Sequence, residues 1–389
     1  MRKVQFRITP PVVHHSVKHL LTACLDWKPF HKSVSVDDIL QLLLLITSSG
    51  ATLFDIVRRR FGFSHETGRR AVYAQLGDAD RLTNGLADAL HQAMQFSRRD
   101  RRRRWIVAID THNRPYYGKR STPGIIGGQK KQGTNYFYGY ATAILIRKRR
   151  RFTVGMIPLR PRIKPHEIVQ ALFDRIDRNG LQMRGIVLDS GFDSGETLLL
   201  LQQRGLDHTV PLRRKGTGTN QRNACFDWPS GTVGRLEWKT EDSRRTVSTA
   251  VLVWRRKNRP ETRVYAFSGW GREEVVAIRR RAWLARRRYR ERFGIETGYR
   301  QKNQGLGWTT SKNPVYRMLL EGLAYLVRQV RVVLTLQIAR GRKAKPTAWI
   351  GELPLPKMLE WLADLLKLQH PENRSISATK ERFRCVGKS

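Results

Sequence analysis

The sequence predicts a mixed α/β fold: a mixed β-sheet flanked by helices, preceded by an all-helical N-terminal region and carrying a β-strand insertion. Three observations lead there. Two short apolar runs, Trp105-Ile-Val-Ala-Ile-Asp110 and Gly185-Ile-Val-Leu-Asp189, each end in an aspartate, which places an acid at the mouth of a sheet. From residue 106 to 212 the elements run as three strands in hairpin connection, then helix, strand, helix, strand, the order of a mixed sheet covered by helices. Residues 213–270 then break that rhythm with short alternating strands.

Residues 1–97 are basic and carry apolar side chains at helical spacing over Val36–Ile46, Thr52–Arg60, Ser64–Leu76 and Arg81–Phe96. Ala51–Arg60 and Ser64–Tyr73 have the outline of a helix-turn-helix, with Ser64 capping the second helix and Arg69, Arg70 and Tyr73 left to face a DNA groove. The competing reading is an ordinary helical hairpin with a solvated basic face, and Gly68 inside the second helix speaks for it. The run Ser97-Arg-Arg-Asp-Arg-Arg-Arg-Arg104 leads straight into the Asp110 strand, either as a solvated linker or as a phosphate contact.

Strands are expected over Ile106–Asp110, Phe137–Ile146, Phe152–Pro158, Ile186–Asp189 and His208–Leu212, with helices over His166–Arg178, introduced by Pro165, and Gly195–Arg204. If the strands ending in Asp110 and Asp189 are parallel neighbours, both acids lie at the same edge. The insertion offers strands over Leu236–Lys239, Thr246–Trp254 and Arg263–Ser268. It holds Trp228, Trp238 and Trp254, with Trp270 at its exit, as the aromatic core of a small sheet or as base-stacking side chains. Residues 271–303 form an arginine-rich helix that Gly294 and Gly298 can kink; Pro314–Ala339 and Pro354–Gln369 are further helices, and the basic tail from His370 is loose. The organisation is 1–97 helical DNA-binding region, 98–212 with 271–340 core, 213–270 insertion and 341–389 basic C-terminal helix and tail.

Among the 389 residues, 74 Lys plus Arg face 32 Asp plus Glu, a formal charge of +42. Such an excess repels itself unless a polyanion neutralises it, which points to nucleic acid as partner ahead of an anionic membrane or mere surface charge. Cys24, Cys225 and Cys385 lie far apart without metal-ligand spacing, so no disulfide framework or zinc site is expected and a reducing cytosol fits. No signal peptide is evident, Leu40–Ile46 is too short to span a bilayer, and Arg328 and Arg331 interrupt Leu319–Ala339. A cytoplasmic, nucleoid-associated protein is the expectation.

Asp110, Asp189 and the helical Glu296 supply the oxygen ligands that Mg²⁺ takes. On one continuous helix Tyr289, Arg292 and Glu296 fall within about 60° of one another, presenting an aromatic hydroxyl, a guanidinium for phosphate and a carboxylate for metal together. His112, His166 and His208 read as structural or solvated, and Asp193 and Glu196 as a turn residue and a first-turn helix acid, either of which replaces Asp189 if the strand register is wrong.

Tyr289-Arg-Glu-Arg292-Phe-Gly-Ile-Glu296 resembles the Tyr, Arg, Glu signature of DDE transposases of prokaryotic insertion sequences, Ala108-Ile-Asp110-Thr111 their first aspartate and Leu188-Asp189-Ser-Gly-Phe192 their second. The resemblance spans roughly residues 105–335 and rests on order, strand context and helix signature together. It implies an RNase H-like core with a β insertion, and catalysis by Asp110, Asp189 and Glu296 holding two Mg²⁺ ions, for which Mn²⁺ substitutes. One ion would activate water or a 3′-hydroxyl for in-line attack and the other stabilise the leaving oxygen. It further implies cleavage of double-stranded DNA at element ends, transfer of the 3′-hydroxyl to target DNA, and a homodimer that brings two ends together. A DNA hairpin with a flipped base stacked on Trp238 or Trp254 is a further option. Two positions depart from the family pattern. Asn303 stands where the signature has a lysine, leaving Lys302 or Arg300 to contact phosphate, and Ser190 stands where relatives commonly carry a basic residue. The alternatives are a structure-selective nuclease on the same fold and a domesticated DNA-binding protein without catalysis.

Overall fold

The computed structural model describes residues 7–147, 150–216, 221–242, 244–256, 259–269, 275–292, 294–341 and 353–372. Trp270, Cys385, the tip of the 147–151 basic turn and the tail beyond 372 lie outside them.

The chain opens with five helices: α1 (Pro10–Thr22), α2 (Val36–Ser49), α3 (Leu53–Arg60), α4 (His65–Gln75) and α5 (Ala79–Ala93). Their starts follow from capping chemistry, since Ser35, Thr52, Ser64 and Asp78 each accept a backbone N–H three residues on. α1 escaped the sequence reading. The Ser64 cap is as expected, and Gly68 has a packing reason: a Cβ there would stand 2.9 Å from Val57 Cγ2 and 3.1 Å from Phe63. A short α6 (Arg98–Arg101) leads into the sheet.

Among the described residues nine strands form one sheet: β1 (Trp105–Tyr116), β2 (Ile125–Lys131), β3 (Thr134–Arg147), β4 (Arg150–Pro158), β5 (Met183–Leu188), β6 (Asp207–Leu212), β7 (Val233–Lys239), β8 (Thr246–Arg256) and β9 (Arg259–Phe267). The helices among and after them are α7 (Pro165–Arg178), α8 (Gly195–Gln203), α9 (Gln221–Ala224), α10 (Val275–Arg292), α11 (Gly294–Asn303), α12 (Pro314–Gly341) and α13 (Leu355–Gln369). The sheet order is β2-β3-β1-β5-β6-β9-β8-β7, with β4 sharing the outer edge of β3 with β2. β1, β5 and β6 are parallel; the other pairings are antiparallel.

Two strand features differ from the sequence reading. The insertion strands are where expected, but β9 pairs with β6 from Thr209↔Phe267 to Leu212↔Val264, so they extend the core sheet instead of forming a separate small one. β2 was missed altogether. Its turn is the two-residue Gln132-Gly133, both at positive φ (50° and 82°), which closes a tight hairpin onto β3.

One face of the sheet packs Val107, Ile109 and Leu188 against α7 and α8. The other packs Ala108, Ile144 and Val187 against Tyr289 of α10 and Ile295 of α11. The N-terminal helices share one core with α12 and α13, through Leu42–Ile46, Leu86, Leu320, Leu323 and Leu362. Gln329 of α12 bonds the Thr153 N–H and C=O of β4 and the Leu90 C=O of α5, all at 2.9 Å, tying that helical layer to the sheet's outer strand.

Candidate active site

The site begins with strand register. β1 and β5 run parallel with Ile109 opposite Leu188, so Asp110 and Asp189, the next residues of each, emerge side by side at one sheet edge. Asp193 and Glu196 drop out as substitutes: Asp193 is buried against Arg222 and the Arg213 N–H (2.7 Å), and Glu196 accepts the Asp242 N–H at 3.0 Å. Glu296 reaches the same cleft, of about 740 Å³, from the exposed side of α11.

Arg292 of α10 fills the gap between the aspartates. Its guanidinium donates to Asp110 Oδ2 at 2.9 Å and pairs with Asp189 Oδ1 at 3.3 Å. The Thr111 N–H donates to the other oxygen, Asp110 Oδ1, at 2.9 Å. Burial nevertheless pushes the Asp110 carboxyl up to about 6, with the nearby charges of Asp189 and Glu296 adding to it and Arg292 opposing it.

The junction at residue 293, on which the expected shared helix face of Tyr289, Arg292 and Glu296 depends, lies outside the described residues. Tyr289 is buried against Tyr265 (5.2 Å between ring centres) with the Arg292 guanidinium 5.3 Å from its ring, and so buttresses that arginine instead of presenting a hydroxyl to DNA. Lys302 is fully buried and ion-paired with Glu321 of α12, and its Nζ lies 3.3 Å from His112 Nε2; no DNA contact is open to it. Arg300 is exposed one turn beyond Glu296 but does not line the cleft.

The other expected contacts are dispersed. Arg69 and Arg70 are exposed on α4; Arg69 is held bidentately by Glu66 at 2.9 and 2.6 Å, and Arg70 lies 5.9 Å from the ring of Phe30. Tyr73 turns inward, bonding Ser311 Oγ at 2.5 Å and packing on Tyr316, so it does not face a groove. Trp238 lines a separate cavity, with Arg222 5.1 Å from its ring, and Trp254 is covered by Arg286 at 3.8 Å. Both tryptophans are half-buried with a face already occupied and lie off the acid cleft, which matches the aromatic-core reading of the insertion. His208 is buried, and His112 is half-buried beside Glu321 and Lys302.

Sequence reasoning missed Arg114, Lys130, Lys131 and Glu321. Arg114 shares a strand face with Asp110 and His112 and lines the cleft with Lys130 and Lys131 of β2. The alternation Asp110, His112, Arg114 was the available signal.

A family model described as "Transposase DDE domain" matches residues 101–313. The solved structure of a piggyBac transposase synaptic complex with hairpin DNA has a similar fold, with a TM-score of 0.54 at 11% identity, covering 95% of this chain and 84% of that one. No curated protein sequence matches. The family model covers more than half of the chain, and the chain therefore belongs to the DDE-domain transposases.

Proposed function

We propose that the protein is the transposase of a prokaryotic insertion sequence, cutting DNA at the element's ends and joining the freed 3′-hydroxyl to target DNA, with Asp110, Asp189 and Glu296 as the catalytic carboxylates. The observation that carries this reading is the placement of two aspartates on adjacent parallel strand ends with a glutamate lining the same cleft.

The donor set fits a hard divalent cation. All three side chains offer oxygen, and Arg292 already stands between the aspartates as a stand-in cation. Among the described residues no three acidic, histidine or cysteine side chains close around one point, so binding requires Arg292 to yield its place. Bound by these acids, Mg²⁺ would polarise the scissile phosphate and acidify the attacking hydroxyl.

The chain's own groups do the rest. Arg292, released from the aspartates, has a DNA phosphate as its natural partner, and Tyr289 behind it limits where it can swing. Asp110, buried and fixed by the Thr111 N–H, gives a rigid reference for positioning, while Glu296 on the exposed side of α11 can adjust. The +42 charge supplies long-range attraction to DNA, and pairing of two ends implies a homodimer. The double pairing of Arg292 also favours one alternative, a DNA-binding protein whose acids are permanently neutralised.

A denaturing-gel assay separates these readings. Purified protein is incubated with labelled DNA carrying the flanks of its gene, with and without Mg²⁺ or Mn²⁺, beside Asp189→Ala. Metal-dependent cuts at one fixed end position followed by joined products, both absent in the variant, support the transposase. Cuts without joining indicate the nuclease, and tight binding with no cuts in either metal overturns catalysis.

A further inference from the structure

The cleft wall facing the acids carries a constellation of its own. Arg114 projects from β1 on the face of Asp110, roughly 13 Å further along the strand, the reach of a few nucleotides. Its side chain is 25% exposed, and two anchors hold it: Nε donates to Glu321 Oε1 and Nη2 to Asn303 Oδ1, both at 2.5 Å. A guanidinium has five N–H donors. These bonds use two, so the fork is fixed in direction with donors left over. Beside it β2 departs from its ladder with β3. Gly127 pairs with Tyr136 and Lys131 with Thr134, so β2 spends four residues where β3 spends two. Such a bulge re-aims side chains, and here it brings Gln129, Lys130 and Lys131 to line the acid cleft. Lys130 and Lys131 are exposed and have no acid partner among the described residues. Of the charged groups on this wall, Glu321 alone is acidic, and it sits buried behind Arg114.

We propose that Arg114, aimed by Glu321 and Asn303, and the bulge lysines Lys130 and Lys131 form one binding site for the phosphodiester backbone of the DNA strand entering the acid cleft. Arg114 grips one phosphate through its remaining donors, and the two lysines neutralise neighbours on the same strand. Asn303 is then a positioning residue, orienting Arg114 without touching DNA. The proposal rests on this cleft being where DNA is processed.

The test measures duplex affinity by fluorescence anisotropy as a function of salt in an Asp189→Ala background, so that cleavage plays no part. The probe is a fluorescein-labelled duplex of about 20 base pairs, titrated between about 50 and 200 mM salt. Each lost phosphate contact lowers the slope of log K against log salt by about 0.9. Lys130→Ala/Lys131→Ala should lower it by about 1.8, and Arg114→Gln by about 0.9. Adding Asn303→Lys to Arg114→Gln should restore the slope by putting an ammonium in the vacated place. Lys357→Ala, the same single loss of charge as Arg114→Gln but on α13, should leave it unchanged. Slopes unaltered in the Arg114→Gln or the paired lysine variants, or matched by Lys357→Ala, overturn the proposal. Arg114→Gln could disturb folding through Glu321, which circular dichroism checks; the exposed lysine pair then decides alone. If wild-type protein cuts DNA while these slopes stay fixed, this site fails and the transposase reading stands. If the slopes fall but no cleavage occurs, the reverse holds.

Discussion

Asp110 gives the sharpest quantitative consequence of the structure. Its carboxyl titrates at about 6 in the fold against an ordinary 3.8, chiefly because it is buried. Between those values the folded chain binds a proton that the unfolded chain has lost, so stability falls as pH rises through this window. The interval corresponds to about 3 kcal/mol. Asp110→Asn removes the ionisation and keeps the shape. In EDTA, urea denaturation should find variant and wild type nearly equal near pH 4, where both side chains are neutral. The variant should then gain steadily, reaching about 3 kcal/mol by pH 7. Mg²⁺ should narrow the gap by stabilising only the ionised wild type. A pH-independent difference between the two proteins, or a variant less stable at pH 7, would refute the claim that this carboxylate is held at a cost for chemistry.

Three further outcomes follow from other parts of the molecule. His208 is fully buried, which pulls its imidazole from 6.5 down to about 4, so its contribution is intact above 6.5 and lost as pH falls through 4. His208→Gln should therefore remove about 3 kcal/mol of acid sensitivity, seen as a flatter stability profile between those values. Gly68→Ala sets a helix-propensity gain of about 1 kcal/mol against overpacking of about 1–3 kcal/mol on the rigid, buried Val57. The clash should win, and a higher urea midpoint would contradict the close packing of α3 on α4. Lys302→Met breaks a buried ion pair and should cost about 3–5 kcal/mol. Glu321→Gln should cost more still, since Glu321 also anchors Arg114; equal or smaller loss would show that the network is not built around Glu321.

The legible parts of this fold were those written in local periodicity. The Ile and Val runs before Asp110 and Asp189, the Pro165 helix start and the Ser64 cap all appear where the residues place them. The illegible parts depend on distant partners. β2 has only Ile125 and Ile126 as apolar residues, and it exists because β3 offers an edge and Gln132-Gly133 a turn. The insertion strands read correctly one by one, but nothing local could show that β9 joins β6. In the site, the two aspartates followed from strand ends and the glutamate from the helix signature. Lys302 shows the limit. Its angle on an ideal helix set it off the face, yet the side chain is fully buried because Glu321, 19 residues on, awaits it there. Arg292 was expected to meet phosphate, and sequence alone could not show it resting on both aspartates.

Catalysis at this cleft requires that Asp110, Asp189 and Glu296 hold a divalent ion together. Iron-directed peptide cleavage tests this directly: Fe²⁺ replaces Mg²⁺, peroxide and ascorbate generate hydroxyl radicals at the bound ion, and mass spectrometry maps the backbone cuts. The prediction is cuts near residues 110, 189 and 296, suppressed by excess Mg²⁺ and abolished by Asp110→Asn. Cuts confined elsewhere, or indifferent to that substitution, would contradict it.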